Sequence, residues 1–177
     1  MARSPYQPSL LRLLHVPTAL LVGALWFSGL VVHGLHDGRG FRLPAGFGGI
    51  DWIDLHGSFG VPLVLLTTVF VPYSLSLGRA LLRRPTNLLP LLALLLAVGS
   101  GLLMREDEVR VGQTANLVYA THLAGWGLMS LAVLLHLANT LARGGWPLAL
   151  SMFRIQMRTG DRPSDWPAQL RRHLRRG

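Results

Sequence analysis

The sequence predicts an all-α membrane protein: a four-transmembrane-helix up-and-down bundle with a short cytoplasmic interfacial helix and a basic tail. Three observations predict it. Half of the 177 residues are hydrophobic and only 14% are charged, against about 25% charged in an average soluble domain. The apolar residues gather in four stretches close to the roughly 20 residues that a helix needs to cross a bilayer core. The charges gather between those stretches, with arginine biased to alternate connections. The same composition excludes other classes. The chain is too apolar to be disordered. It has no cysteine, so a disulfide framework, a thiolate zinc or iron–sulfur site and a cysteine nucleophile are all out of reach. The net charge of +9 would suit nucleic acid in a soluble protein, but the apolar runs make membrane lipid the partner and leave no role for nucleic acid.

The first span covers about residues 10–32 and carries one formal charge, Arg12. A basic start before an apolar run also describes a signal peptide, but no A-x-A-like site follows and the run is long, so a retained helix is expected. The second span, about 55–77, is uncharged and contains Pro62 and Pro72. Membrane helices tolerate proline where neighbours satisfy the freed carbonyls, so one kinked helix is expected. The third span, about 88–104, is a little short and closes on Arg105-Glu-Asp-Glu. The fourth, about 121–142, closes on Arg143-Gly-Gly. Residues 1–143 therefore read as the transmembrane unit and 144–177 as an appendage. Within the appendage, Trp146 to Met157 reads as an interfacial helix. From Thr159 onward the chain reads as a disordered basic tail against anionic lipid, with docking to a partner protein as the alternative.

Arginine sets the orientation. Thirteen of the 17 Arg residues fall on the side of the N-terminus. Only Arg39, Arg42, Arg105 and Arg110 fall on the other side, together with six of the eight acids. Both termini are predicted cytoplasmic.

Four histidines stand inside the spans, where ionisable side chains are costly and generally have a partner or a function. His15 lies near the cytoplasmic end of the first helix, His56 near the outer end of the second, and His122 and His136 on the fourth. The last two are 14 residues apart, about 21 Å along a helix axis and within roughly 40° of one face. Depth then pairs His15 with His136 and His56 with His122. Two bis-imidazole sites stacked across a membrane suit two haems, each iron taking one neutral imidazole from either side. Two rival readings stand beside it: zinc at the outer site, where Asp54 is close to His56, and a proton relay through the histidines. Small residues near the histidines (Ala19, Gly60 and Gly125) would admit a flat macrocycle. Arg12, one turn before His15, would meet a haem propionate. Arg79, Arg83 and Arg84 could serve the same haem, and Arg39, Arg42, Arg105 and Arg110 the outer one. His33 is an alternative outer ligand, although Gly34 and Gly38 suggest that the first helix is already ending there; His36 lies in the same turn.

Arg12-Leu-Leu-His15, Leu55-His56-Gly-Ser-Phe-Gly60, Thr121-His122-Leu-Ala and Leu134-Leu-His136-Leu resemble the prokaryotic cytochrome b561 family, which includes the cytochrome b subunits of hydrogenases and formate dehydrogenases. The resemblance spans residues 7–143. It implies b-type haems held by His15 with His136 and by His56 with His122, in agreement with the pairing from depth. Val16-Pro17 stands where the family often has Trp, and Gly57 where it often has Lys. Pro5-Tyr-Gln-Pro, the Asp37-Gly-Arg loop and Gly144-Gly-Trp-Pro-Leu are similar to a cyanobacterial branch. The resemblance further implies electron exchange with a membrane quinone, for which Asn87 and Asn139 are candidate contacts. Some members oxidise superoxide at the outer face while reducing quinone. The expected location is the inner (plasma) membrane, or a thylakoid for a cyanobacterial chain.

The resulting expectation is transmembrane electron transfer. One alternative is a membrane-anchor subunit relaying electrons between a larger dehydrogenase and quinone, docked to a redox partner protein or oligomeric. Another is a haem-free transporter or assembly factor using histidine for protons or metal. No general acid, nucleophile or phosphate loop is legible, so no catalytic residue is assigned and redox chemistry would belong to the cofactor.

Overall fold

A computed structural model describes residues 5–174, with side chains through Arg172. Arg3, Arg175 and Arg176, which enter the arginine bias, lie outside the described residues. Helices make up the regular structure, with no strand among the described residues. Four helices are long and apolar enough to cross a membrane: α1 (Ser9–Val32), α2 (Trp52–Leu75), α4 (Pro85–Leu103) and α6 (Leu117–Leu150). Three short helices join or follow them: α3 (Arg79–Leu82), α5 (Glu106–Arg110) and α7 (Trp166–Leu174). The four-helix architecture expected from the sequence is the one observed.

The helix ends differ from the expected ones for local reasons. α1 runs on through a π-helical turn, His33–Asp37, and stops at Gly38, whose positive φ of 70° closes the helix. Gly34 does not end the helix. A Cβ there would meet the Phe41 ring at 2.5 Å, so glycine lets the following loop fold against α1. α2 starts three residues earlier than expected because the Asp51 carboxylate accepts from the Ile53 and Asp54 backbone N–H groups, both at 3.1 Å. It contains Pro62 and Pro72 as a single helix. α4 begins with Pro85 in its first turn, where the missing N–H has no partner to lose. Asn116 caps α6 through the Tyr119 N–H at 2.8 Å.

α6 departs most from the expectation. It does not stop at Arg143 but continues to Leu150, interrupted at Gly145, whose φ of 60° and ψ of −161° break the helical path. A 3₁₀ turn, Ser151–Phe153, follows, and the tail then returns to α1 instead of dispersing as the composition suggested. Asp161 accepts from Ser9 N–H at 2.7 Å and from the Tyr6 hydroxyl. Trp166 Nε1 donates to Ser9 Oγ at 2.9 Å. Burial alone would raise the Asp161 carboxyl, but the bonds from Tyr6 and Ser9 outweigh it and hold the carboxyl below its ordinary range.

α1 packs closely on α2, and α4 on α6, with a smaller α2–α4 contact. The central core joins Leu63, Ala93, Leu94, Met129 and Ala132. A second cluster, Ile53, Val109 and Tyr119, closes the end opposite the N-terminus. The outside is apolar as well: Leu20, Leu65, Leu102 and Leu134, one from each long helix, are 64–66% exposed. In water such a surface would drive association; against lipid it is the ordinary exterior of a spanning bundle.

Candidate functional site

The four intramembrane histidines meet in two pairs. His15 on α1 and His136 on α6 have ring centroids 6.1 Å apart with planes inclined at 35°. His56 on α2 and His122 on α6 are also 6.1 Å apart, with planes at 89°. α6 supplies one member of each pair. Between the pairs, Trp26 and Trp126 stack at 5.5 Å, and their indole N–H groups tie α1 to α6 through Ser130 Oγ and the Trp26 carbonyl.

In three of the four rings the Nδ1 nitrogen is taken. His136 Nδ1 donates to the Thr86 carbonyl at 3.1 Å. That carbonyl is free because the residue four positions on is Pro90, which has no N–H to close the helical bond. His122 Nδ1 donates to the Ala97 carbonyl at 3.1 Å and lies 3.1 Å from Ser100 Oγ. His56 Nδ1 lies 2.8 Å from Ser28 Oγ. Ser28 is 1% exposed and its hydroxyl, which also lies 3.3 Å from the Leu25 carbonyl, can donate to the imidazole or accept from it. At His136 and His122 the partner is a carbonyl, which only accepts, so the proton sits on Nδ1 and the lone pair on Nε2. Metal-ligating histidines are oriented in this manner, with the far ring nitrogen bonded to a backbone carbonyl or another acceptor.

The spacing fits a metal between two imidazoles. A bond of about 2 Å on each side plus a ring radius of about 1.2 Å puts the centroids roughly 6.4 Å apart. Rotation about the bond axis leaves the angle between ring planes free, so both 35° and 89° are admissible. Among the described residues no three His, Asp or Glu side chains converge as a metal site. Asp54, the carboxylate that could have completed a zinc site at His56, pairs with Arg110 at 2.5 Å.

The small residues are used differently from the expectation. Gly125 is filled: a Cβ there would meet the Ala97 backbone at 3.2 Å, so this glycine serves α4–α6 packing. Ala19 is exposed. Gly60 faces open space. Two other glycines touch the rings. A Cβ on Gly29 would lie 3.2 Å from His56 Cε1, and one on Gly101 3.3 Å from His122 Cε1. Each follows the serine that meets the same imidazole, so Ser28-Gly29 and Ser100-Gly101 form equivalent seats for the two histidines.

Arg12 is one turn before His15, as expected, but 6% exposed. Its guanidinium donates to the Arg154 carbonyl and, at 2.9 Å, to the Gln156 carbonyl. Its Nε is buried without a partner among the described residues, leaving one donor for an anionic group. Arg79, Arg83 and Arg84 are exposed at the same end. Asn87 bonds the Leu81 carbonyl, and Asn139 bridges Thr86 and Arg143, so both make interhelical or turn contacts. His33 joins neither pair; it bonds Tyr119 and the Arg39 carbonyl.

Sequence reasoning located the four histidines but missed Ser28, Ser100, Gly29, Gly101, Thr86 and Pro90. Pro90 carried a usable signal, since a proline inside an apolar helix frees the carbonyl four residues earlier. Comparison with known protein families, with characterised proteins and with solved structures finds no match to this chain.

Proposed function

We propose that the chain is a di-haem membrane cytochrome of the type it resembles, the prokaryotic cytochrome b561 family, transferring electrons across the membrane and exchanging them with quinone. The observation that carries the reading is the double pairing of imidazoles, 6.1 Å apart at both levels, with Nδ1 engaged in three of the four rings. His15 and His136 would hold one b-type haem, His56 and His122 the other. When bound, each haem supplies a one-electron iron couple. The residues do the rest. The Thr86 and Ala97 carbonyls fix the tautomers of His136 and His122, and a fixed Nδ1–H bond raises the basicity of Nε2. The apolar helices exclude water and lower the local dielectric, which with the axial ligands sets the potential. Arg12 Nε offers a donor to a propionate at the His15–His136 end. The arginine bias supports a cytoplasmic position for that end and for both termini.

The test is a pyridine haemochrome assay on the purified protein, followed by separate substitutions. Two b-type haems per chain are expected. His122→Ala should remove one haem and His136→Ala the other, leaving different midpoint potentials behind. A chain without b-type haem, or variants that both keep two, would overturn the reading.

A further inference from the structure

The two helices that carry the His15–His136 pair do not pack closely on each other: α1 packs on α2, and α6 on α4. His15 also stands on a weakly attached part of α1. Pro17, two residues on, has no N–H to close the helical bond to the Leu13 carbonyl. Residues 9–16 therefore form a two-turn stub ahead of a missing rung. The stub has no cap of its own either. Pro8 offers no side-chain acceptor to its first N–H groups, and no acid stands in its first turn. Such a helix end needs a partner from elsewhere in the chain to hold its direction.

The returning tail supplies that partner. Gly145 turns the chain off the helical path of α6, and the 3₁₀ turn Ser151–Phe153 touches both α1 and α6. Asp161 then reaches the start of α1, where its Oδ2 accepts from Ser9 N–H at 2.7 Å and from the Tyr6 hydroxyl. A carboxylate there also meets the positive end of the helix dipole. Tyr6 is held in turn. Its oxygen accepts from Arg158 N–H at 3.1 Å, and the Arg158 guanidinium lies 4.2 Å from its ring centre. Ser9, Arg12 and His15 follow one another at three-residue intervals, along one side of the helix. The first two are bonded to the tail, Ser9 to Asp161 and Trp166, and Arg12 to the 154 and 156 carbonyls. The third is the candidate ligand, 6.1 Å from His136. The clasp thus ties the carrier of His15 to the helix that carries His136, while the His56–His122 pair lies towards the other end of the bundle.

We propose that Asp161 is a positioning residue for the His15–His136 site: through Ser9 and Tyr6 it caps α1 from the tail and holds His15 at ligating distance from His136. The inference rests on the di-haem reading. Asp161 acts by accepting hydrogen bonds, so an amide oxygen in its place serves almost as well, and a methyl group does not.

The two-haem protein tests it, with each haem assigned to its pair through His122→Ala and His136→Ala. The readouts are the low-spin electron paramagnetic resonance signal of each haem, its midpoint potential and its rate of transfer to an apo-globin acceptor. In Asp161→Ala the His15–His136 haem alone should change, with an altered low-spin signal, a shifted midpoint and several-fold faster transfer. Asp161→Asn should stay close to the unaltered protein. Tyr6→Phe, which keeps the Ser9 bond, should shift the same haem by less, and it carries the test if Asp161→Ala does not fold. An unchanged His15–His136 haem in folded Asp161→Ala overturns the proposal. So does an equal disturbance of both haems, which is the mark of a general loss of stability, or an Asn variant as impaired as the Ala one. A chain with no haem overturns the di-haem reading and this inference together, whereas a two-haem chain with any of those results overturns only this one.

Discussion

Ser28 shows how one hydroxyl sets the chemistry of a residue 28 positions away. Its Oγ lies 2.8 Å from His56 Nδ1 and 3.3 Å from the Leu25 carbonyl, so one hydroxyl ties the imidazole to α1. Ser28→Ala removes that partner and leaves a half-buried Nδ1 without it. Loss of an outer-shell partner to a ligating histidine typically costs 10–100-fold in metal affinity, so haem titration of Ser28→Ala should show that loss at the outer site alone. An unchanged affinity would mean that the serine does not orient the ring. The histidines themselves were legible because intramembrane ionisable residues are rare enough to stand out. Their partners were not. Serine and glycine are common in membrane helices, and what distinguishes Ser28 from Ser58 is the neighbouring helix, which spacing along one chain does not reveal. Pro90 is the intermediate case: its freed carbonyl could be read at Thr86, but not which side chain would fill it.

At the scale of elements, the four spans were legible but their ends were not, most of all at α6, which runs on to Leu150. An apolar count sees where hydrocarbon contact stops, whereas a helix stops where its last backbone groups find other partners. Asp51 illustrates the difference, extending α2 to Trp52 while also pairing with Arg110 at 2.7 Å. The Arg110 guanidinium holds the Asp51 carboxyl below its ordinary range. A carboxylate depressed in the folded state contributes stability that is present above its unfolded pKa, about 3.9, and is lost as pH falls through the lower folded value. Thermal unfolding of the purified protein should therefore be insensitive to this contact from pH 5 to 8 and weaken in acid below about pH 4. Asp51→Ala should lower the thermal midpoint at pH 7 through the lost cap, with little further loss on acidification. A substitution without effect at pH 7 would show that α2 is held by packing alone. The returning tail is the element that composition misjudged. A polar, proline-containing, basic segment reads as disordered, yet Tyr6, Ser9 and Arg12 at the start of the chain present the partners that hold Asp161 and the 154–156 carbonyls, a pairing across about 150 residues.

For the whole molecule, the two ends are chemically unlike. The N-terminal end carries α3, the returning tail and most of the arginines. The opposite end carries six of the eight acids, the Asp51–Arg110 contact and the His33–Tyr119 contact. If arginine bias sets the topology, the first end is cytoplasmic, and the His56–His122 pair faces the other compartment. The absence of cysteine makes this directly measurable, since any introduced thiol is the only one. Gln113 in the α5–α6 loop and Thr159 in the tail are both exposed and lie at opposite ends. In spheroplasts, a membrane-impermeant maleimide should label Gln113→Cys before lysis and Thr159→Cys only after it. The reverse pattern would invert the bundle. It would leave both histidine pairs intact, but the His15–His136 pair would then lie towards the outer face and the His56–His122 pair towards the cytoplasm.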